Sequence, residues 1–414
     1  MTRDDIVKTA FKVWGRDLYR TMSLTQISQE LGVSKPALYR HFRDKDALLD
    51  AMYTAYFDDC AAFIRDSYHR AVSADKKEAG LIMMRIFSEY YIRNKDLFVF
   101  ALIQVFSRRE SKYRGDELRE RGIDLQRLAD EEGGSIRYPS NLLLFVTNLV
   151  FDISFFHRFG LKRGEIPSDD QVKKTVAQIE NQALHGLGLD ARKVAALNYQ
   201  ELEERAAKTE YGDTENNVLL RAVAGAVAEA GPWNASMEMV ARLSGLSKSG
   251  LYAHFKNKKD MLGKLFVTEF TRIMDFARAQ IETSEVPEEQ LYLAIITIVN
   301  YLRARPEILV AMDWIKTRRL DIGRGSSGRL YRIIRGIKQK AIQEQDKHLL
   351  VRIGHWIIFM ITNTLVWWPG DQKMDPSRPD HSGDLKKNVE EIPNESFRIL
   401  FRFIALGLEG LNDE

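Results

Sequence analysis

Apolar residues recur every three or four positions along most of the chain, a spacing that predicts helices with one buried face. The alternating apolar and polar stretches typical of strands are hard to find. Proline is scarce, with 10 residues among 414, so long helices are seldom interrupted. We therefore predict an all-α fold.

The first 50 residues predict three short helices followed by a long one. A helix over about Asp5–Gly15 carries an apolar stripe, and a second helix covers Leu24–Leu31. Gly32 suits the turn that follows, and Ser34 is placed to cap a third helix. The stripe of the first helix consists of Ile6, Ala10, Val13 and Trp14.

The third helix has one apolar side and one polar side. Leu38 and Phe42 lie four residues apart and are expected to pack against Ile27 and Leu31. The polar stretch that follows, from Arg43 to Asp46, begins the longer helix. This arrangement leaves a surface that can enter a DNA groove, formed by Lys35, Ala37, Tyr39, Arg40 and His41.

The same pattern occurs again about 213 residues later. The segment Ser34-Lys35-Pro36-Ala37-Leu38-Tyr39-Arg40-His41-Phe42 returns as Ser247-Lys248-Ser249-Gly250-Leu251-Tyr252-Ala253-His254-Phe255. In the second copy, Leu219, Val223 and Val227 form the first stripe, and Met237–Leu243 the short helix. Gly245 makes the turn, Ser247 caps the next helix, and residues 256–259 begin the connecting helix.

The duplication extends beyond these units, because Tyr91-Ile92-Arg93 corresponds to Tyr301-Leu302-Arg303, and Arg108-Arg109 and Arg114-Gly115 to Arg318-Arg319 and Arg324-Gly325. A head-to-tail fusion of two whole subunits explains this pattern. We predict helix-turn-helix units at 1–50 and 217–263, helical bodies at 51–189 and 264–414, and a polar linker at 190–216, within which 195–208 can be helical. A second polar stretch, 370–391, is expected to be a loop.

Each copy ends with two strongly apolar helices. They are predicted near Asn141–Phe159 and Gln171–Leu187, and near His348–Trp367 and Glu395–Leu411. Helices this apolar require burial on several sides, so they are candidates for a four-helix interface between the copies. The alternative is that each pair belongs only to the core of its own domain. The apolar runs Leu142–Phe156 and Trp356–Trp368 are too short to favour a membrane span, and we predict no membrane association.

Composition narrows the function only a little. The net charge of +3 does not by itself indicate a nucleic-acid-binding protein. The single Cys60 and a polar start fit a cytoplasmic protein. We find no catalytic or metal-binding arrangement and expect neither enzymatic activity nor a cofactor. An apolar ligand cavity, or plain core, is predicted for Phe98, Phe100, Phe106, Trp314, Trp356, Trp367 and Trp368.

The segment from Gly32 to Phe42, followed by Lys45, Leu48 and Leu49, resembles the TetR family of bacterial transcriptional regulators. The resemblance implies an N-terminal DNA-binding unit, a helical effector-binding body and dimerisation through the last two helices. It also implies that an unidentified small molecule alters the spacing of the two units. In this chain the two copies would form an intramolecular pseudo-dimer on double-stranded DNA.

The resemblance also assigns roles to residues. Base-reading positions map onto Thr25, Lys35, Pro36 and Ala37 in the first copy, and onto Glu238, Lys248, Ser249 and Gly250 in the second. Phosphate contacts map onto Tyr39, His41 and Lys45, and onto Tyr252, His254 and Lys258. Arg40 is a further candidate on the base-reading side, and its counterpart is Ala253.

The two copies differ at the base-reading positions and agree at the phosphate contacts. Because phosphate contacts carry no sequence information, both units are expected to dock alike and read different bases. This predicts an asymmetric operator, a repressor that acts by occluding DNA, and release by the effector. Packing or capping roles remain alternatives for the Tyr and His residues, and a solvated surface for the Lys residues. The alternative function is a ligand-binding or protein-interaction module in which one or both units no longer bind DNA.

Overall fold

The computed structural model contains α-helices, short π and 3-10 segments and no strands among the residues that it describes. The predicted all-α fold is confirmed. The described residues are 2–16, 23–105, 114–129, 141–162, 164–211, 215–309, 312, 325–337, 347–367 and 389–411. Most of the predicted loop 370–391, Phe106, Trp314, Trp368 and the repeated Arg108-Arg109 and Arg318-Arg319 pairs lie outside them.

Ten α-helices make up the described part of the first copy. They are α1 (Arg3–Arg16), α2 (Leu24–Leu31), α3 (Lys35–Tyr39), α4 (Lys45–Val72), α5 (Lys76–Arg93), α6 (Lys95–Phe100), α7 (Arg114–Glu120), α8 (Gln126–Ala129), α9 (Asn141–Phe155) and α10 (Asp169–His185). A π-helical segment, Ala101–Val105, continues α6, and another, Phe156–Gly160, continues α9. The long α4 and α5 pack against each other, and α1 packs on α2, α4 and α6.

The second copy repeats this order. Its helices are α13 (Glu215–Asn234), α14 (Met237–Ser244), α15 (Lys248–His254), α16 (Lys258–Ile281), α17 (Pro287–Ala304), α18 (Gly325–Gly336), α19 (Lys347–Trp367) and α20 (Asn394–Leu406). A 3-10 turn, Gly407–Leu411, follows α20. The long α16 and α17 are the counterparts of α4 and α5 and also pack together.

Two interactions inside the bodies confirm that the duplication extends past the DNA-binding units. The hydroxyl groups of Tyr56 and Tyr91 lie 2.6 Å apart, joining α4 to α5. At the matching positions the Tyr301 hydroxyl donates to Glu269 at 2.5 Å, joining α16 to α17. The same register of two long helices is thus held by different polar pairs.

The arginine two residues after Tyr91 and its counterpart after Tyr301 make similar contacts in the two copies. Arg93 reaches Asp169, the first residue of α10, at 2.9 Å. Arg303 donates to the side chain of Asn394, the first residue of α20, at 2.7 Å. In each copy this arginine therefore joins the end of the second long helix to the start of the last helix.

The chain divides into two compact units. One comprises α1 to α8, the second half of α9 and most of α10. The other comprises the first half of α9, the end of α10 and all later helices. The division between these units falls inside α9 and α10.

The segment predicted as a polar linker is largely folded. It forms α11 (Ala191–Ala195) and α12 (Tyr199–Ala207), and α12 packs on α17. Val194, Leu202 and Ala206 are buried. Glu203 accepts hydrogen bonds from Tyr292 at 2.6 Å and from Arg398 at 2.8 and 3.1 Å. The sequence analysis allowed a helix here but did not predict its docking, because the segment is rich in charged residues.

Helix α19 is a core helix of the second compact unit. Its stretch Lys347–Val366 is long and apolar enough to cross a membrane by length and composition alone. Trp356, Met360 and Ile361 within it are nevertheless completely buried against neighbouring helices. The prediction of a buried apolar helix is confirmed here.

Candidate nucleic-acid interface

The first helix-turn-helix unit is built by local sequence signals. Ser23 caps α2 in a reciprocal capping box, since its hydroxyl accepts from the Thr25 and Gln26 amides and Gln26 accepts from the Ser23 amide. Gly32 ends α2 with a φ of 65°, a conformation that costs glycine little. These signals set where the turn begins and where α3 starts.

Apolar residues hold the recognition helix α3 in place from one side. Leu38 and Phe42 are buried, as the spacing predicted. The Arg3 guanidinium lies 4.7 Å from the centre of the Phe42 ring, so α1 also contacts this end of the unit. Asp44 caps α4 by accepting from the Ala47 amide at 2.8 Å. The opposite side of α3 is left open to solvent.

Most of the predicted DNA-binding residues of the first copy lie on this open side. Tyr39 exposes 51% of its surface, which argues against a packing role. Ala37 is a correction: it was expected on the surface but is buried at 9% exposure, because it lies beside Leu38 on the inner side of α3. Lys35, Pro36 and Arg40 are exposed, and Thr25, His41 and Lys45 are half-buried.

The second helix-turn-helix unit uses the same signals, with weaker capping of its short helix and stronger capping of its recognition helix. Ser236 caps α14 through the Met239 amide at 3.2 Å, and Gly245 takes a φ of 70° at its end. Ser247 caps α15 by accepting from the Gly250 amide at 3.1 Å, whereas Ser34 makes no such bond. Although Gly250 predicts a weaker recognition helix, α15 has 7 residues and α3 has 5.

The predicted DNA-binding residues of the second copy are also accessible. Tyr252 exposes 51% of its surface, as does Tyr39. Burial lowers the pKa of Lys258, the first residue of α16. Glu238, Lys248, Ser249, Tyr252 and His254 are exposed, and Gly250 and Lys258 are half-buried. Leu251 and Phe255 are buried as predicted.

One interaction distinguishes the base-reading positions of the two copies. Glu238 on α14 forms an ion pair with Lys248, the first residue of α15. The hydrogen bond and charge of Lys248 lower the pKa of the Glu238 carboxyl to about 2. The sequence analysis placed both residues on the DNA-facing side but did not predict that they contact each other. The signal was available, because a Gly turn between two short helices brings positions ten residues apart together.

Sequence reasoning also missed two cations that support the recognition helices. Arg3 contacts Phe42 in the first unit, as described above. In the second unit, Lys264 donates to the His254 carbonyl at 2.7 Å and lies 5.6 Å from the centre of the Phe255 ring. Both cations lie outside the repeated motif, on helices that pack against it. They bring positive charge to the ends of α3 and α15.

The second body contains a small cavity of about 20 Å³, large enough for one water molecule. Its lining is apolar and comes from α16, α17, α18 and α19. Residues that line it include Met274, Leu291, Ile298, Ile333 and Ile357. Trp356, Phe98 and Phe100, the described aromatics predicted as cavity or core residues, are core residues with 0 to 2% exposure. Among the described residues, no group of His, Cys, Asp or Glu is arranged to hold a metal ion.

Two short helices joined at a glycine, a capped recognition helix and an open polar face define a helix-turn-helix DNA-binding unit, and the chain holds two of them. Residues 6–52 and 219–265 each match the family described as "Bacterial regulatory proteins, tetR family". The chain thus carries two TetR-like helix-turn-helix units in tandem. No curated protein matches the chain in sequence.

Solved structures similar to parts of the chain include three bacterial regulators. The fatty acid degradation regulator FadR from Bacillus halodurans is 20% identical, covers 48% of this chain and 98% of its own, and has a TM-score of 0.34. The TetR family regulator PfmR from Thermus thermophilus is 21% identical, with 48% and 99% covered and a TM-score of 0.31. FadR from Bacillus subtilis, solved with stearoyl-CoA, is 19% identical, with 43% and 100% covered and a TM-score of 0.31.

Proposed function

We propose that this protein represses transcription by binding one asymmetric operator with both of its helix-turn-helix units. The supporting observation is that the two units expose the same phosphate-contact candidates beside different base-facing residues. Tyr39 and Tyr252 have equal exposure, while Thr25 is replaced by Glu238 and Pro36 by Ser249. If both units contact the phosphates alike but contact different bases, the operator consists of two unlike half-sites about one helical turn apart.

A pseudo-dimer is supported by contacts between the ends of the last helices of the two copies. Just beyond α10, the Leu187 amide donates to the Ile404 carbonyl at 2.8 Å, and the Leu189 amide donates to the Ala405 carbonyl at 3.0 Å. Gly186 and Gly407 permit this approach, since a Cβ at either position would lie within 3 Å of backbone atoms of the opposing segment. We propose that the two copies in one chain take the place of the two separate subunits of a TetR-like dimer.

A small apolar effector would release the DNA. Such an effector would have to widen the small apolar cavity of the second body, and this would shift α16, whose first residues belong to the second helix-turn-helix unit. The effector must bind the non-DNA-binding spacing more tightly, and this difference in affinity is the free energy available for release. Such a regulator acts in the cytoplasm, where it meets DNA.

The test is selection of bound sequences from random double-stranded DNA by the full-length chain. Two unlike half-sites about one turn apart would support the proposal. A palindromic site would contradict the asymmetric operator, and no enrichment at low salt would contradict DNA binding altogether.

A ligand-binding module with an inactive second unit is the second candidate function. The observation that favours it is the ion pair of Lys248 with Glu238, which neutralises a cation on the DNA-facing side. Replacing Tyr252 and Lys258 by alanine decides between the two functions. Unchanged DNA affinity would assign binding to the first unit alone, and a loss of affinity would assign a phosphate-contacting role to the second.

A further inference from the structure

The ion pair between Glu238 and Lys248 joins the two helices of the second helix-turn-helix unit. Both side chains are largely exposed, at 61% for Glu238 and 55% for Lys248. An exposed pair of this kind contributes little to folding stability. Its position on the unit therefore calls for a role other than holding the helices together.

That position is next to the bases in a docked complex. The N-terminal residues of a recognition helix contact base edges in the major groove, and Lys248 is the first residue of α15. Leu251 and Phe255 face inward and are buried, so the side of α15 that carries Lys248 and Ser249 is the open one. Because its carboxylate contacts Lys248, Glu238 lies at the same open face.

The first unit lacks this carboxylate. Thr25 is the counterpart of Glu238 and Lys35 that of Lys248. Thr25 is neutral and half-buried, and no carboxylate of the described residues forms an ion pair with Lys35. The two units thus differ by one negative charge at this position, in addition to the replacement of Arg40 by Ala253.

We propose, resting on the DNA-binding function proposed above, that Glu238 sets the base specificity of the second unit by selecting cytosine and by restraining Lys248. A carboxylate only accepts hydrogen bonds, and the cytosine N4 amine is a donor in the major groove. Guanine presents the acceptors O6 and N7 at its major-groove edge, adenine places the acceptor N7 beside its N6 amine, and phosphate is anionic, so all three are less favourable partners for Glu238 than cytosine is. The second half-site therefore carries a cytosine where Glu238 approaches the bases.

The pairing also changes how Lys248 acts. A lysine held by a carboxylate neutralises no phosphate and donates poorly to guanine, whereas Lys35 is available for both. The first unit then supplies more of the electrostatic, salt-dependent affinity and the second unit more of the discrimination. The two lysines occupy equivalent positions, so their alanine variants measure this difference directly.

The experiment is selection from random double-stranded DNA with the full-length chain and its E238T and T25E variants. E238T gives the second unit the residue of the first, and T25E does the reverse. In the wild type, one half-site carries a cytosine preferred about tenfold, in the range for direct base contacts. E238T abolishes that preference and leaves the other half-site unchanged, while T25E introduces a cytosine preference in the first half-site.

Salt dependence of the affinity gives a second readout. By freeing Lys248 for a phosphate, E238T steepens the slope of log affinity against log salt by about 0.9, which is about a 3- to 4-fold greater loss between about 50 and 200 mM salt. K35A weakens binding by the wild type more than K248A does. In the E238T background the two alanine variants become similar.

Three results would overturn the inference while leaving DNA binding intact. They are an unchanged half-site pattern in E238T, an unchanged salt slope in E238T, and equal losses from K35A and K248A in the wild type. If the wild type binds no DNA at low salt, the proposed function fails and this inference fails with it. Thermal unfolding of each variant verifies that these substitutions, including that of the half-buried Thr25, leave the fold intact.

Discussion

Replacing Glu203 by alanine removes the acceptor at the centre of the contact between α12 and the second body. Glu203 accepts from the Arg398 guanidinium at 2.8 and 3.1 Å, from the Tyr292 hydroxyl at 2.6 Å and from Asn394 at 2.9 Å. Its side chain is 12% exposed, and Tyr292 is completely buried. The substitution leaves a buried hydroxyl and a partly buried cation without this acceptor.

The expected cost follows from these geometries. A hydrogen bond to a charged group contributes about 1.5–3 kcal/mol, and an unsatisfied buried group costs about 1–3 kcal/mol. Arg398 is 29% exposed and also pairs with Glu395, so water and that carboxylate recover part of the loss. We therefore expect the free energy of unfolding to fall by about 2–4 kcal/mol, which lowers the melting temperature of the second unit by about 5–10 °C.

Two assays separate global from local effects. Calorimetry of the full chain measures the melting transition, and hydrogen exchange measures the amides of residues 199–207. E204A is the matched control, because Glu204 is the next residue on α12, is exposed and has Gln200 as its hydrogen-bond partner. If E203A behaves like E204A in both assays, the structure overstates the role of this network and α12 is held by its apolar residues alone.

The same carboxylate predicts a pH dependence. Burial raises the pKa of Glu203, but the hydrogen bonds from Arg398, Tyr292 and Asn394 outweigh it, so its folded pKa lies below the ordinary value of 4.5. A depressed carboxylate pKa stabilises the fold above the unfolded value and stops doing so as the pH falls through the folded value. We expect wild-type stability to fall more steeply below pH 4.5 than that of E203Q, measured by denaturant unfolding.

The remaining predictions concern glycines and a buried tyrosine pair. G407A is expected to cost about 3 kcal/mol or more, because its Cβ would lie 2.2 Å from the Leu184 backbone at a φ of 69°. Gly245 has a φ of 70°, but a Cβ added there would meet no atom within 4 Å, so G245A is expected to cost only about 1–2 kcal/mol. Similar shifts in melting temperature for G407A and G245A would contradict the packing argument. Y91F is expected to cost about 1–3 kcal/mol by leaving the Tyr56 hydroxyl unsatisfied. The Y56F/Y91F double variant should cost less than the sum of the single variants in chemical denaturation, and strict additivity would count against the hydrogen bond.

Local signals in the sequence determined much of this protein. Capping residues, turn glycines and apolar spacing placed α2, α14 and the starts of the recognition helices within one or two residues, since each signal acts over about four residues, but α3 ends at Tyr39 and not at Phe42 as predicted. The repeated motif identified both DNA-binding units, and the repeated Tyr-x-Arg identified the matching bodies. Lysine and tyrosine at the open faces followed from the burial of Leu38 and Leu251.

Tertiary structure decided what depends on contacts between distant segments. The pairing of Lys248 with Glu238 required the turn at Gly245 to set the angle between two helices. The docking of α12 depends on Glu203 reaching Arg398, 195 residues away, and polar composition alone gave no sign of it. Ala37 is buried because α3 packs against its neighbour α2, and the helical period of the sequence does not show which residues such packing covers. Periodicity fixes which residues share a face, whereas packing decides what that face meets.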